Sequence, residues 1–236
     1  MTMRLLLTRP RDPDDLLAAT LLAHGHEFLA EPLLNIEHVP LGNIDIAQIQ
    51  AVVATSSNSL RAVDLNAELT ALPLFAVGAA TGRIGLAKGF TNVISGRAGA
   101  QELVAELAAS LDPGLGTILY LRGETVAFDI EKPLKAAGFA VVHQIVYRAV
   151  PVTNFSPQAA GELSSGKLDG VILLSPRTTQ TYLRLLQNHS LLTAAAAIRH
   201  FCLSQAVAEP LIHFGIHFID NPAQPNLQEL VALIDL

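Results

Sequence analysis

The chain carries one strand–helix–strand pattern twice, and this repeat constrains its fold more than any other feature of the sequence. An apolar run that ends in a polar pair, Arg4–Arg9, returns as Thr117–Arg122. Each run leads into an amphipathic stretch that ends in a glycine, Gly25 or Gly138, and then into a second apolar segment, with the same spacing in both copies. Glycine readily adopts the left-handed backbone that ends a helix. We therefore predict two copies of one unit, A and A′.

A second unit, B, is also repeated. Residues 51–58 resemble residues 170–177, and residues 74–78 resemble residues 200–204, so the chain reads A-B-A′-B′. Strands that alternate with helical patterns are typical of parallel sheets with helices on both faces. We therefore predict an α/β protein with two flavodoxin-like parallel-sheet domains that arose by internal duplication.

The repeat leaves open how the four units pair. If A paired with B, the chain would divide near residues 112–114. If B paired with A′, the middle of the chain would form one domain and the two ends would form the other. Two polar segments that contain proline, 38–43 and 151–157, lie just after each A unit and favour the second arrangement.

Composition excludes several classes of protein. Of the 236 residues, 50% are hydrophobic and 15% are charged, which excludes a disordered chain. The longest uncharged stretches, 46–60 and 185–198, are shorter than the ~18–20 apolar residues of a membrane-spanning helix. The amino terminus has no apolar core long enough for a signal peptide. With a single cysteine, Cys202, the chain is expected in the cytoplasm.

Charge and motif content exclude further sites. The net charge is −6 and no basic run occurs, so a nucleic-acid surface is not expected. His213 and His217 have the spacing of metal ligands on a helix, but Gly215 and the alternating apolar residues predict the start of a strand instead. Cys202 lies in a predicted buried strand and is expected to behave as a small apolar residue.

The residues that could carry chemistry follow the predicted strands. Ligands of open parallel sheets bind outside the carboxyl ends of the strands. Hydroxyls at such ends have a second possible role, because they also cap helices. The small residues of Gly78–Gly85 likewise have two possible roles: they pack a helix against a strand, or they leave helix N–H groups free to hold an anion. The six ends are Thr8–Pro10, Thr55–Asn58, Gly78–Thr81, Arg122–Glu124, Ser175–Arg177 and Ser204–Gln205.

Taken in order, these pieces resemble the uroporphyrinogen-III synthase family over the whole chain. The resemblance implies an enzyme that takes hydroxymethylbilane, loses water and closes the ring while inverting the last pyrrole. It also implies that no metal or cofactor is needed. The matching segments are LLTRP at 6–10, TSSNSL at 55–60, AVGAAT at 76–81, LYLRG at 119–123, VY at 146–147, SP at 175–176 and CLS at 202–204.

The resemblance also implies an organisation of the chain. Residues 1–38 and 151–236 would form one discontinuous α/β domain, and residues 39–150 would form an inserted one. A two-stranded hinge near 37–43 and 147–153 would join them, with the active site in the cleft between the domains. The protein is expected to be a monomer that makes transient contact with the enzyme that produces its substrate, without nucleic acid or membrane as partners.

Family members implicate a tyrosine at the place of Tyr147, which is expected to assist the leaving hydroxyl as the catalytic residue. A phenol can donate a hydrogen bond at neutral pH because its ordinary pKa is ~10. Without the family resemblance, the sequence around Tyr147 would indicate only an aromatic residue at the end of a strand. Arginines at the strand ends would make the local field positive for an octa-anionic substrate. The expected substrate-binding residues are Arg9, Thr55, Ser56, Gly78, Thr81, Arg122, Ser175, Arg177 and Ser204.

One departure from the family keeps other functions open. Family members often carry a Thr-Thr or Thr-Ala pair in the fourth cleft loop, where this chain has Ala206 and Val207. A non-catalytic relative that binds a tetrapyrrole or another small ligand would fit this departure. A third hypothesis is an unrelated α/β isomerase or transferase that uses Glu124 or Asp129, which follow the A′ strand.

Overall fold

The computed structural model describes residues 2–10, 15–96, 100–126 and 128–236. The chain divides into two compact units: unit 1 consists of Met1–Asn35 and Val150–Leu236, and unit 2 is Ile36–Ala149. The strands are β1 (Arg4–Leu7), β2 (Glu27–Ala30), β3 (Leu34–His38), β4 (Ile49–Ala54), β5 (Leu74–Val77), β6 (Val93–Gly96), β7 (Thr117–Gly123), β8 (Ala140–Pro151), β9 (Gly170–Leu173), β10 (Arg199–Cys202) and β11 (Ile219–Asp220). The helices are α1 (Leu16–Ala23), α2 (Ser57–Arg61), α3 (Ala67–Thr70), α4 (Gly78–Ala87), α5 (Ala100–Ser110), α6 (Glu131–Ala136), α7 (Pro157–Ser164), α8 (Pro176–Asn188), α9 (Leu192–Ala196), α10 (Gln205–His213) and α11 (Leu227–Ile234).

Unit 1 is built on a parallel sheet with the strand order β11-β10-β9-β1-β2. Leu5, Leu6 and Leu7 of β1 are all buried. Successive side chains of a strand point to opposite faces, and accordingly Leu6 belongs to the core cluster that contains Tyr182 of α8, whereas Leu5 and Leu7 belong to the cluster that contains Leu17 of α1. The apolar run of β1 is therefore explained by burial on both faces of the sheet.

Unit 2 is built on a six-stranded sheet with the order β3-β8-β7-β4-β5-β6, in which the pairs from β8 to β6 are parallel. Its central strand β4, like β1, is buried on both faces. Val52 and Ala54 lie in one core cluster, and Ala51 and Val53 lie in the other. Both faces of this sheet are therefore covered.

The repeated units occupy equivalent places in the two sheets. The first strand of A pairs with the first strand of B′ in unit 1 (β1 with β9), and the first strand of A′ pairs with that of B in unit 2 (β7 with β4). The order β2-β1-β9-β10-β11 is the flavodoxin-like order 2-1-3-4-5. Unit 2 has the same neighbours in β8-β7-β4-β5-β6. The predicted fold class, two parallel-sheet α/β domains from a duplication, is confirmed.

Gly25 and Gly138, the glycines of the two repeated units, lie at the ends of equivalent helices. Gly25 follows α1 with a φ of 81°, and Gly138 follows α6 with a φ of 91°. In each case the next residue donates its backbone N–H to a carbonyl in the last turn of the helix, His26 to Leu21 at 3.0 Å and Phe139 to Leu134 at 3.1 Å. A side chain at either glycine would strain this left-handed turn.

The chain passes between the units in two strands, β3 and β8, which are neighbours in the six-stranded sheet. Val39, just after β3, donates its N–H to the carbonyl of Val146 in β8 at 2.8 Å. On the unit 1 side, Val152 donates its N–H to the carbonyl of Leu33 at 3.1 Å. Backbone hydrogen bonds therefore join the two crossing segments on both sides of the boundary.

One local prediction is wrong. The sequence predicts a strand start at His213, but His213 is the last residue of α10, and β11 begins only at Ile219. Gly215, with a φ of 81°, provides the left-handed residue after the helix. Within the described ranges, no group of three or more His, Cys, Asp and Glu side chains is arranged to hold a metal ion. Among the helices that the structure describes, none is long and apolar enough to cross a membrane.

Candidate active site

A cavity of about 390 Å³ opens in unit 2 where parallel strands end. This volume lies within the range of ~300–1,000 Å³ that is usual for small-molecule sites. Thr55 directly follows β4, Val77 ends β5 and Thr125 follows β7, so the sheet itself brings these positions to one edge. The cavity is lined by Thr55, Ser56, Val77, Ala100, Thr125, Val126, Phe128 and Tyr147.

Tyr147 reaches this cavity because its neighbour on the next strand is a glycine. β7 and β8 run in parallel, and a register shift after Arg122 places Gly123 opposite Tyr147. A Cβ atom at Gly123 would lie 2.6 Å from Cζ of the Tyr147 ring and 2.8 Å from its hydroxyl oxygen. The half-buried phenol therefore lies directly against the backbone of Gly123.

The backbone around Tyr147 is held by Glu124. The N–H of Glu124 donates to the carbonyl of Tyr147 at 3.0 Å, and the Glu124 carboxylate accepts from Nε of Arg148 at 3.0 Å. Both side chains of this ion pair are about half exposed. Asp129 is also engaged, because its Oδ1 accepts the backbone N–H of Glu131 at the start of α6. The two carboxylates of the isomerase hypothesis therefore have local partners.

The Thr55 hydroxyl has a partner that could not be predicted from the sequence. Its hydroxyl lies 3.1 Å from the hydroxyl of Tyr120, a fully buried residue of β7. Burial raises the pKa of the Tyr120 phenol, because the charged form loses its hydration. In the sequence, Tyr120 lies within an apolar run that predicts a buried strand. A buried tyrosine hydroxyl usually needs a hydrogen-bonding partner, and this need is the sequence signal that points to Tyr120.

Arg122 holds the turn that follows β7. Its Nε donates to the carbonyl of Gly123 at 3.0 Å, and its Nη2 donates to the carbonyl of Glu124 at 3.1 Å. The guanidinium carbon lies 5.9 Å from the centre of the Tyr120 ring, within the range of a cation–π contact. Arg122 therefore connects the Tyr120 ring with the backbone that carries Gly123.

The remaining expected residues of unit 2 lie at two helix starts. Ser56 caps α2, and its Oγ accepts the N–H of Asn58 at 3.2 Å. Gly78 begins α4 with a φ of 76°. Thr81, one turn later, is only 4% exposed. A Cβ at Gly82 would clash with the Ser95 hydroxyl, so the small residues of this turn allow α4 to pack closely on its sheet.

In unit 1 the expected residues lie at the ends of β1, β9 and β10. Ser175 caps α8, because its Oγ accepts the N–H of Thr178 at 3.1 Å. Ser204 has the same position before α10, yet its side chain makes no capping hydrogen bond. Arg9 donates to Asp15 at 3.0 Å, and Arg177 is half-buried in the first turn of α8.

The residues that depart from the family pattern lie in the first turn of α10. Ala206 is exposed, whereas Val207 is 2% exposed and belongs to the core of unit 1. The carbonyl of Val207 accepts the hydroxyl of Thr179 at 3.0 Å. Position 207 therefore contributes its side chain to packing rather than to the strand edge.

Cys202 is fully buried in β10, as predicted. Burial raises the pKa of its thiol to about 12. Because the thiolate is the reactive form of cysteine, this residue is inert at neutral pH.

Solved structures with the same fold are known. One is a uroporphyrinogen-III synthetase from Helicobacter pylori, with 15% sequence identity, a TM-score of 0.66, and coverage of 99% of this chain and 98% of that one. Another is a mutant uroporphyrinogen III synthase from Thermus thermophilus, with 17% identity, a TM-score of 0.51, and coverage of 99% and 97%. These likenesses establish a shared fold.

Sequence comparison adds the family. No curated protein sequence matches the chain significantly. A family model described as uroporphyrinogen-III synthase HemD, however, matches residues 15–232, which is most of the chain. By this match the protein belongs to the uroporphyrinogen-III synthase family.

Proposed function

We propose that Tyr147 is the catalytic residue of the reaction that this family performs, the cyclisation of hydroxymethylbilane to uroporphyrinogen III in tetrapyrrole biosynthesis. The chain belongs to the uroporphyrinogen-III synthase family, whose reaction inverts the last pyrrole ring and releases water. The C–O bond of the hydroxymethyl group breaks, and the Tyr147 phenol gives its proton to the leaving hydroxyl. The methylene left after hydroxyl loss bonds to the substituted α-carbon of the last pyrrole and gives the spiro intermediate. The older bond from that carbon to its bridging methylene then breaks, and this methylene bonds to the unsubstituted α-carbon of the same ring. The proton that this α-carbon loses returns to the phenolate.

The observation that carries this proposal is the place of the Tyr147 phenol. It lies against Gly123 and lines a cavity together with the hydroxyl-bearing residues Thr55 and Ser56. The described residues that line this cavity carry hydroxyls or apolar groups and no charge. Such a lining suits a pyrrole ring and its neutral hydroxymethyl group better than a carboxylate.

The enzyme must also control geometry, because the azafulvene left after hydroxyl loss cyclises spontaneously without inversion. Holding the last ring in the orientation that leads to the spiro intermediate is therefore the main task of the site. We assign substrate binding to the expected set. Among these residues, support is least for the buried Thr81. The set is Arg9, Thr55, Ser56, Gly78, Thr81, Arg122, Ser175, Arg177 and Ser204.

The charge of three arginines and the uncapped hydroxyl of one serine support parts of the substrate-binding assignment. The substrate carries eight carboxylates, and arginine is the side chain that pairs best with a carboxylate. Three members of the set, Arg9, Arg122 and Arg177, are arginines near strand ends. The Ser204 hydroxyl is not used as a helix cap, so it is available to a ligand.

We also assign the organisation of the chain. Residues 1–38 and 151–236 form one domain, residues 39–150 form the other, and the segments near 37–43 and 147–153 act as the hinge. Support comes from β3 and β8, the two strands in which the chain crosses between the units. The protein acts as a monomeric cytoplasmic lyase that makes transient contact with the enzyme that supplies the bilane. Size-exclusion chromatography with light scattering tests the monomer, and a dimer would contradict it.

A coupled assay tests the reaction. Hydroxymethylbilane is generated in situ, the protein is added, the products are oxidised, and the uroporphyrin isomers are separated by chromatography. We expect isomer III to predominate. If only isomer I formed, which is the spontaneous product, the enzymatic assignment would fail. Retained tetrapyrrole binding in that case would favour the non-catalytic relative, for which the missing threonines at Ala206 and Val207 are the supporting observation.

A further inference from the structure

We propose that Tyr120 is a positioning residue that holds the Thr55 hydroxyl as a hydrogen-bond donor toward the cavity next to Tyr147. The inference rests on the proposed function, because the group that receives this hydrogen bond is an oxygen of the bound bilane. Tyr120 itself lines no part of this cavity that the structure describes. Its effect on the reaction therefore passes through Thr55.

The Tyr120 phenol donates its proton in a hydrogen bond to the Thr55 hydroxyl. Tyr120 is fully buried, and in the described part of the chain its hydroxyl has one hydrogen-bonding partner, Oγ1 of Thr55 at 3.1 Å. Burial raises the pKa of the phenol, so it keeps its proton at neutral pH. A buried O–H group without an acceptor is costly. The phenol therefore donates to Thr55.

The Thr55 hydroxyl in turn directs its own proton toward the cavity. A threonine hydroxyl has one proton to donate and two lone pairs to accept. Because the Tyr120 phenol takes one of the lone pairs, the Thr55 proton remains available for another acceptor. Thr55 is half-buried and lines the cavity with Tyr147. The cavity thus has a second oriented donor besides the Tyr147 phenol, and two donors fit an oxygen acceptor on the ligand.

Packing around the Tyr120 ring keeps its hydroxyl directed at Thr55. Tyr120 lies on β7 opposite Val53 of β4, so Thr55, two residues further along, is its diagonal neighbour on the same face. The Tyr120 ring belongs to a core cluster with Val53 and Phe75, and Arg122 lies over the ring at 5.9 Å. The phenol therefore has little freedom to turn away from Thr55.

Four variants test this role: Tyr120→Phe, Thr55→Val, Thr55→Ser and the double variant Tyr120→Phe/Thr55→Val. The assay follows kcat, KM and the ratio of isomer III to isomer I. We expect Tyr120→Phe to lower kcat/KM by about fivefold to tenfold, the effect of one hydrogen bond, and to raise the share of isomer I. Thr55→Ser keeps the hydroxyl and should retain most of the activity. In the Thr55→Val background, Tyr120→Phe should have no further effect.

Tyr182→Phe is the matched control. Tyr182 is also a fully buried tyrosine, but it lies in unit 1. Among the described residues, the hydrogen-bonding partner of its hydroxyl is Nε2 of His200, at 3.3 Å. This variant should lower the melting temperature without changing the isomer ratio. Thermal unfolding of all variants separates loss of fold from loss of positioning.

The outcomes are distinct. Suppose that the wild-type protein makes isomer III but the losses of kcat/KM in Tyr120→Phe and Thr55→Val multiply in the double variant. Tyr120 then acts independently of Thr55, so the inference is wrong while the proposed function stands. An unchanged kcat/KM and isomer ratio in Tyr120→Phe would also overturn it. If the wild-type protein makes only isomer I, both the proposed function and the inference fail.

Discussion

The ring of Tyr147 lies so close to the backbone of Gly123 that a single added methyl group would fall 2.6 Å from its Cζ atom. The backbone of Gly123 does not have a left-handed φ, so conformational strain is not the reason for a glycine here. The reason is space. Gly123 therefore determines where the phenol can lie in the cavity.

Gly123→Ala should displace the phenol and lower the rate of isomer III formation by about 10- to 100-fold, because small misplacements at a reacting centre have effects of that order. The rate is measured in the coupled assay. Gly161→Ala is the control, because a Cβ at Gly161 within α7 would meet no described atom within 4 Å other than its chain neighbours and the backbone of its own helix. It should leave activity unchanged and stabilise the helix by about 0.5–1 kcal/mol. Wild-type activity in Gly123→Ala would show that the phenol position is unimportant.

Tyr147→Phe and Glu124→Gln together distinguish the synthase mechanism from the isomerase hypothesis. Tyr147→Phe removes the proton donor and should lower kcat by about 100-fold, typical for loss of a general acid. Glu124→Gln should retain activity, since the Glu124 carboxylate is half exposed and paired with Arg148. The reverse result, an inactive Glu124→Gln with an unaffected Tyr147→Phe, would assign the chemistry to the carboxylate.

His200 should make unit 1 sensitive to acid. It is fully buried, its Nδ1 has no hydrogen-bonding partner in the described residues, and burial lowers its pKa to about 4. The unfolded chain binds the proton near pH 6.5. Above pH 6.5 the side chain is neutral in both states and does not destabilise the fold. As the pH falls from 6.5 through 4, the unfolded chain takes up the proton first, and the free energy of unfolding should fall by about 3 kcal/mol.

Urea unfolding at pH 7 and pH 4.5 measures this effect. His200→Leu should lose part of the difference in unfolding free energy between the two pH values, because leucine does not titrate. Equal pH dependence in His200→Leu and the wild-type protein would assign the acid sensitivity to other groups.

Glu31 should stabilise the start of α7. Its buried carboxylate accepts both the backbone N–H and the hydroxyl of Ser156, each at 2.7 Å. Glu31→Gln replaces one acceptor oxygen with a donor, and we expect a loss of about 1–3 kcal/mol in the free energy of unfolding. Chemical denaturation provides the measurement.

Ser156→Ala provides a second variant for the same contact. If Glu31 and Ser156 act as a pair, the double variant should lose less than the sum of the two single losses. Fully additive losses would show that the contact itself contributes nothing to stability.

Several features could be predicted from the sequence because they depend on local properties. The apolar run at Leu5–Leu7 predicts a strand buried on both faces, and Gly25 and Gly138 predict helix ends, since backbone preference and hydrophobic pattern act over a few residues. The order of these segments also carries the family resemblance. The same local reasoning was wrong at His213, where alternating apolar residues imitate a strand next to a helix that continues through Pro210.

Contacts across strands could not be predicted in this way. The pairing of Gly123 with Tyr147 depends on a register shift between β7 and β8, and the bond from Tyr120 to Thr55 depends on the pairing of β7 with β4. Likewise, Ser175 and Ser204 each lie between a strand and a helix, yet of the two only Ser175 caps its helix with its side chain. Apart from the segment around His213, the sequence by itself determined the repeated strand and helix pattern, the duplication and the family resemblance. Tertiary structure alone decided which hydroxyls are occupied and which side chains meet, because these depend on atoms that strand pairing brings together from distant parts of the chain.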